Sequence, residues 1–224
     1  DKFILDADGE LKEKEIDETE EIKEKTPSYI LTMELLNEGK KIKDIADLII
    51  GDSPPELRTG KWDGNDILFA TISDVKDCKY LSTTNLSLNK SATKYLKIIP
   101  ANTLLVSIAG TIGKPVILTK DMAISQSFIA LTNLNNVYLE YLYNLFNTFY
   151  QNNILLRYST KTFQPNLSLT TFKEIELKIP SLSEQENSLK AIDYLNKLIF
   201  IYEKSLNQQQ TMKAKLLFNV FEQN

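Results

Sequence analysis

The stretch Ile175-Glu176-Leu177-Lys178-Ile179-Pro180-Ser181-Leu182-Ser183-Glu184-Gln185-Glu186 passes from one structural period to another. Ile175, Leu177 and Ile179 alternate with charged residues, as in a half-buried strand, and Pro180 closes it. Ser183 then reads as a helix N-cap with Glu186 at the third helical position. Beyond it runs a heptad with a at Ile192, Ile199, Leu206, Lys213 and Val220 and d at Leu195, Tyr202, Gln209 and Leu216, apolar at 7 of 9 seam positions. That pattern specifies a helix of roughly 40 residues, about 60 Å long. The unit before it is too small to cover such a helix, so a second helix must lie alongside.

Upstream of this junction the chain reads as a small, mostly β unit. Ile67-Leu68-Phe69-Ala70, Leu104-Leu105-Val106-Ser107-Ile108, Val116-Ile117-Leu118 and Phe128-Ile129-Ala130-Leu131 are short apolar runs suited to buried strands. Gly110-Thr111-Ile112-Gly113 is a tight turn, and Ser53-Pro54-Pro55 and Gly60 to Asp66 carry turn chemistry. The apolar stretch Val137 to Leu156 should form a helix against the sheet. Nearer the start, Pro27 opens a helical stretch through Tyr29, Ile30, Met33 and Leu36 that stops at Asn37-Glu38-Gly39. Ile42, Ile45, Ala46 and Ile49 share one face of a second short helix, which the turn residue Gly51 ends. Phe3-Ile4-Leu5 suits a short strand and Asp8-Gly9 a turn, whereas Glu10 to Lys25 is almost entirely charged and buries little. The expectation is an α+β chain: residues 1–26 a charged linker or the tail of a preceding unit, 27–180 a mostly-β domain with packed helices, 181–224 a long coiled-coil-type helix. The absence of an initiator Met points to a piece of something longer.

With 224 residues, 42% hydrophobic and 25% charged, the chain is neither disordered nor a disulfide-stapled miniprotein. Cys78 is its one cysteine and it has no histidine, which removes disulfides, Cys-rich zinc sites and the commonest general base. No metal and no cofactor are expected. No stretch approaches the roughly 20 apolar residues of a membrane helix, so a soluble, cytoplasmic protein is expected. The net charge of −4 conceals strong patterning. Residues 1–26 sum to −6, 27–78 to −4 and 174–224 to −1, whereas 79–173 hold nine basic residues against Asp121 and Glu140, a net of +7. Ordinary solubilising lysines are one reading of that middle; a surface facing a polyanion is the other. On the second reading Lys90, Lys94, Lys114, Arg157 and Lys161, in or beside turns, contact the phosphate backbone of DNA.

Several enzyme motifs fail on inspection. Gly110 to Lys114 looks like half a phosphate loop, but Ile108 stands at the position its first glycine would need, and Pro115 replaces the magnesium-binding hydroxyl. Ser53-Pro54-Pro55 approximates the motif with which amino-methyltransferases hold a flipped base, yet Glu56 occupies the aromatic position. Asp63 and Asp66 sit in turn sequence where solvated structural roles prevail. Two other readings stay open: a pure assembly module that binds protein through the long helix and the 137–156 segment, and an enzyme built on Lys or Asp.

The order of the pieces says more than any one of them. Gly51-Asp52-Ser53-Pro54-Pro55, Trp62 to Ile67, Ile72-Ser73-Asp74, Leu104 to Lys114, Ala123-Ile124-Ser125-Gln126-Ser127, Gln164-Pro165-Asn166-Leu167-Ser168 and the Ile179-Pro180 to Glu184-Gln185 junction follow one another. Over roughly residues 40–224 this succession resembles the specificity subunits of type I restriction-modification systems. Lys161 departs from the family pattern, standing where a glycine is common.

The resemblance implies a target recognition domain that reads one half of a bipartite double-stranded DNA site. It implies a spacer helix that pairs with a second such helix, through Ile192, Leu195, Ile199, Tyr202, Leu206, Leu216 and Val220. It also implies no active site in the chain itself, with methyltransferase and nuclease subunits as partners. A full-length member carries two recognition domains, so the chain reads as a half subunit that self-associates, a fragment, or the specificity end of a fused methyltransferase.

Overall fold

Strands that are apolar at every position must be covered on both faces, and the sheet at the centre of this protein is built that way. A computed structural model describes residues 3–5, 11–13, 34–53, 63–75 and 78–222. The chain divides into a unit of Asp1–Ile179 and a unit of Pro180–Asn224. The strands of the first are β1 (Phe3–Leu5), β2 (Leu11–Glu13), β3 (Leu36–Lys41), β4 (Asp47–Ile50), β5 (Asp63–Ala70), β6 (Tyr80–Leu81), β7 (Leu86–Leu88), β8 (Ile98–Ile99), β9 (Leu104–Ser107), β10 (Pro115–Leu118), β11 (Met122–Ile124), β12 (Phe128–Thr132) and β13 (Glu176–Leu177). Among the described residues its α-helices are α1 (Ile42–Ile45), α2 (Leu139–Gln151) and α3 (Leu169–Glu174); the second unit carries α4 (Leu182–Glu222).

A five-stranded sheet runs β4-β12-β9-β10-β6 and a four-stranded sheet β7-β5-β11-β8. Pairing is antiparallel except at β10–β6 and β11–β5. The two-residue period of a strand sorts the apolar runs. Leu104, Val106, Ile117, Ile129 and Leu131 face a core shared with Leu142, Leu145, Phe146 and Phe149 of α2 and Phe172 of α3. Their neighbours Leu105, Val116, Leu118, Phe128 and Ala130 face the other way, onto Ala70, Ile99, Met122 and Ile124 of the four-stranded sheet. That second sheet is covered on its far side by the short 3-10 helix Lys90–Lys94 and the residues that follow it, through Ala92 and Leu96 against Phe69, Leu88 and Ala123. In the helical layer Phe146 meets Phe149 edge-on at 5.9 Å and stacks on Phe172 at 5.8 Å.

The first and last segments of this unit are tied together. β13 pairs with β3, the Ile42 amide donates to the Ile175 carbonyl at 3.0 Å, and Lys178 donates to Leu35 at 2.9 Å. Glu174, ending α3, accepts from Lys41 at 2.8 Å and Lys43 at 2.7 Å. Hydrogen bonds from these two ammonium groups hold its carboxyl at about 2, and Lys41 is raised in turn.

Several expectations are corrected. Leu36 lies in a strand that includes Asn37-Glu38-Gly39 and whose two ends, Leu36 and Lys41, pair with β13 across a register irregularity; the stretch from Pro27 to Met33 lies outside the described residues. The helix expected over 42–49 is one turn. Ala46 turns extended, and Asp47–Ile50 pairs with β12, so sheet hydrogen bonds outcompete helix continuation. Gly51 therefore ends a strand, not a helix: a Cβ there would lie 2.1 Å from the Ser125 carbonyl oxygen, so glycine is needed for close approach of two backbones. Asp63 to Asp66 belong to β5, with a register irregularity opposite Leu88, instead of a turn. Leu11–Glu13, within the charged run, pairs with β1; Asp8-Gly9, Glu56, Gly60 and Trp62 lie outside the described residues.

The long helix starts two residues before the expected point. Ser181 and Glu184 form the reciprocal cap: the Ser181 amide donates to Glu184 Oε2 at 2.9 Å and the Glu184 amide to Ser181 Oγ at 3.4 Å. These bonds lower the Glu184 pKa. Ser-x-x-Glu occurs in two registers, 181/184 and 183/186, and the one directly after Pro180 is used.

Phe146→Ala should remove about 3–5 kcal/mol of stability, read from urea unfolding. The Glu174 carboxyl should titrate by NMR with a midpoint near 2. Because its pKa is depressed on folding, its stabilisation is complete above the ordinary value of 4.5 and fades as pH falls toward 2. Unfolding midpoints of the parent chain and Glu174→Gln should therefore differ at neutral pH and converge as pH falls toward 2.

Candidate nucleic-acid interface

The strand ends bring distant loops to one end of the sheets. β4, β5 and β11 end at Ile50, Ala70 and Ile124, and their following residues are bonded together: Gly51 to Phe128, Asp52 to Ile124, and Ser125 to Ala70, each backbone amide to carbonyl at 2.9–3.0 Å. The Gln126 amide donates to Ser53 Oγ at 3.3 Å. The Ile108 amide donates to the Ser127 carbonyl at 2.8 Å, which attaches the 108–114 turn to the same end. Gly110 and Gly113 adopt φ of 74° and 88° there, a conformation that side chains disfavour. Leu167 donates to Ile108 at 2.9 Å and Asn166 forms a bridge with Ala109, so residues 159–167 join as a fifth loop. The Ile72–Asp74 turn is fixed by Asp74, which accepts from Thr71 and, at 2.7 Å, from both the backbone and the side chain of Asn85.

The five cations singled out from the sequence fall into two groups. Lys114, Arg157 and Lys161 belong to the glycine-turn end: Gly113 abuts Leu155 of the Leu155–Tyr158 3-10 helix that carries Arg157, and Lys161 follows in the attached loop. Lys114 Nζ lies 5.7 Å from the Tyr150 ring centre. Lys90 and Lys94 lie on the 3-10 helix over the four-stranded sheet, whose start is fixed by Asn89 accepting from the Ser91 amide and Asp66 from the Lys90 amide. All but Lys114, which is half-buried, are exposed.

Lys79 is used internally. It is half-buried between the rings of Tyr80 and Tyr143, at 5.3 and 5.1 Å, and is ion-paired with Glu140, which also accepts from the Tyr80 hydroxyl at 2.8 Å. Burial pulls the Lys79 pKa down, but the hydrogen bond and charge of Glu140, with Tyr80, outweigh it and leave it raised. The pair cancels one charge of each sign, so the segment keeps its +7 on the remaining residues.

Two features went unread in the sequence. Lys97 and Tyr95 face Gly51, Asp52 and Ile124 across a cavity of about 300 Å³. They are distant in sequence and meet because β8 pairs with β11. Phe163 stands wholly exposed in the 159–167 loop; here the signal was local, an aromatic residue inside Thr160-Lys161-Thr162-Phe163-Gln164. Among the described residues no cluster of His, Cys, Asp and Glu could hold a metal ion, and no helix is long and apolar enough to cross a membrane.

On α4, Leu195, Ile199, Tyr202, Leu206 and Leu216 are exposed and Ile192 half-buried. Val220 lies on the same helix, its side chain outside the described residues. Tyr194, Leu198, Phe200 and Ile201 are exposed as well, so the apolar surface is broader than a single heptad seam.

A family model for the type I restriction modification DNA specificity domain matches residues 35–210. The type I restriction enzyme MjaIX specificity subunit of Methanocaldococcus jannaschii is 29% identical over 186 residues, which cover 81% of this chain and 42% of that protein. A chain from a structure concerning complex assembly and conformational transition of the type I R-M system superposes with a TM-score of 0.64 at 16% identity, covering 89% of this chain and 50% of that one. The HsdS subunit from Thermoanaerobacter tengcongensis gives 0.58 at 16% identity, covering 85% and 49%. The chain thus spans half or less of the length of these relatives. With a match over most of its residues and the same α+β fold, it belongs to the family of type I restriction modification DNA specificity domains.

Proposed function

We propose that the chain reads one half of a bipartite duplex DNA site and positions methyltransferase and nuclease subunits on it, without catalysing either reaction. The observation that carries this reading is the convergence of five loops of the family's DNA specificity domain at one end of two buried sheets, three of which (108–114, 125–127 and 159–167) belong to the acid-poor segment of net charge +7. Lys90, Lys94, Lys114, Arg157 and Lys161 neutralise phosphates and fix register, while polar loop side chains meet base edges. Residues 27–180 form the recognition domain and 181–224 the spacer helix, whose apolar surface pairs with that of a second recognition half. That half is another copy of the chain or a sister domain. The relative named as a specificity subunit supports the division of labour with catalytic partners. The lone Cys78 suits a reducing cytoplasm.

Electrophoretic shift against random duplex pools should enrich a short fixed motif. If five phosphates are neutralised, log affinity should fall with log salt at a slope of roughly −4 to −5, and each alanine replacement of the five cations should flatten it by about 1. Salt-independent retention contradicts the reading. Deleting Asp193 to Asn224 should abolish self-association in sedimentation while the Phe146-centred core still melts cooperatively; unchanged dimer affinity would refute helix pairing.

A further inference from the structure

Phe163 is 101% exposed, more than any other large apolar side chain of the described residues. Its loop is not loose. The Thr160 amide donates to the Asn166 carbonyl at 3.0 Å and the Asn166 amide to Thr160 Oγ1 at 3.1 Å, closing the loop at its base. Thr162 Oγ1 donates to the Gln164 carbonyl at 2.9 Å across the tip, and Pro165 restricts Gln164 to extended backbone. Leu167, fully buried, anchors the C-terminal side. A ring fixed at the tip of a closed loop is presented to something, since a slack loop would fold it onto the adjoining apolar surface.

The surroundings specify what that something is. Lys161 is exposed two residues away, Arg157 is exposed on the helix leading into the loop, and Thr160, Thr162 and Gln164 are polar and exposed. A protein-docking anchor is ringed by contacts that exclude water. A lone ring among cations and hydroxyls instead suits an apolar gap bordered by phosphates, which is what a base step of duplex DNA provides.

We propose that Phe163 is a wedge that inserts between two adjacent bases of the bound duplex, unstacking that step while Arg157 and Lys161 hold the flanking phosphates. The wedge rests on the DNA-binding reading above and adds to it a contact that salt does not weaken.

The test uses the full chain and the duplex enriched from the random pool, with 2-aminopurine placed at successive positions. The unsubstituted chain should raise fluorescence at one step. Phe163→Ala should abolish that rise and weaken binding by roughly tenfold or more, with the salt slope unchanged. Phe163→Trp should keep both the rise and the affinity, and Lys161→Ala should flatten the slope while leaving the rise. Because the side chain is fully exposed, all three variants should melt like the parent.

If Phe163→Ala binds and unstacks as the parent does, the wedge is wrong and the DNA reading stands. If it keeps DNA binding but loses capture of a methyltransferase subunit, the ring belongs to a protein interface and the wedge is likewise wrong. If the unsubstituted chain retains no duplex, the DNA reading itself fails and the wedge falls with it.

Discussion

The central sheet of this domain is buried on both faces, and much of the rest follows from that. β9, β10 and β12 are enclosed at every position but Thr132. In a sheet with one wet face, a one-residue slip is opposed because it puts apolar side chains in water. Here a slip would exchange one apolar layer for another, so register must be held by shape and by the connections. The Gly110 and Gly113 turn between β9 and β10 meets that need, since its left-handed backbone fixes how many residues separate the two strands.

The same enclosure decided what was legible in the chain. Four apolar runs were readable as strands because they are short and flanked by turn residues, and α2 was readable from Leu142, Leu145, Phe146 and Phe149. β3, α1 and β4 were misread, because their conformation is set by partners far away in sequence: β13 for β3, β12 for β4. Helical spacing at Ile42, Ile45 and Ala46 was genuine, yet it extended for one turn only. The start of α4 was ambiguous because two Ser-x-x-Glu registers compete, and Pro180 decides between them by forcing an extended approach.

For the candidate site, charge was legible and geometry was not. Counting by segment located the cationic middle, but it could not separate Lys79, locked between two tyrosines and Glu140, from lysines on the surface. Nor could it show that Lys114, Arg157 and Lys161 gather at the glycine turn while Lys90 and Lys94 lie over the other sheet. Those groupings depend on long-range strand pairing, such as Ile124 beside Ala70, which no local pattern announces. The overall charge of −4 is a sum over surfaces with different tasks.

The loops at the sheet end are bonded to one another mainly through main-chain amides and carbonyls, with Ile108 and Leu167 as their buried anchors. The frame therefore rests mainly on backbone and apolar anchors, whereas the surface of exposed loop-tip side chains such as Lys161 and Phe163 carries little of it. Such a surface can be rewritten one residue at a time with little change in folding free energy. A domain of this kind can drift to a new target while remaining the same object.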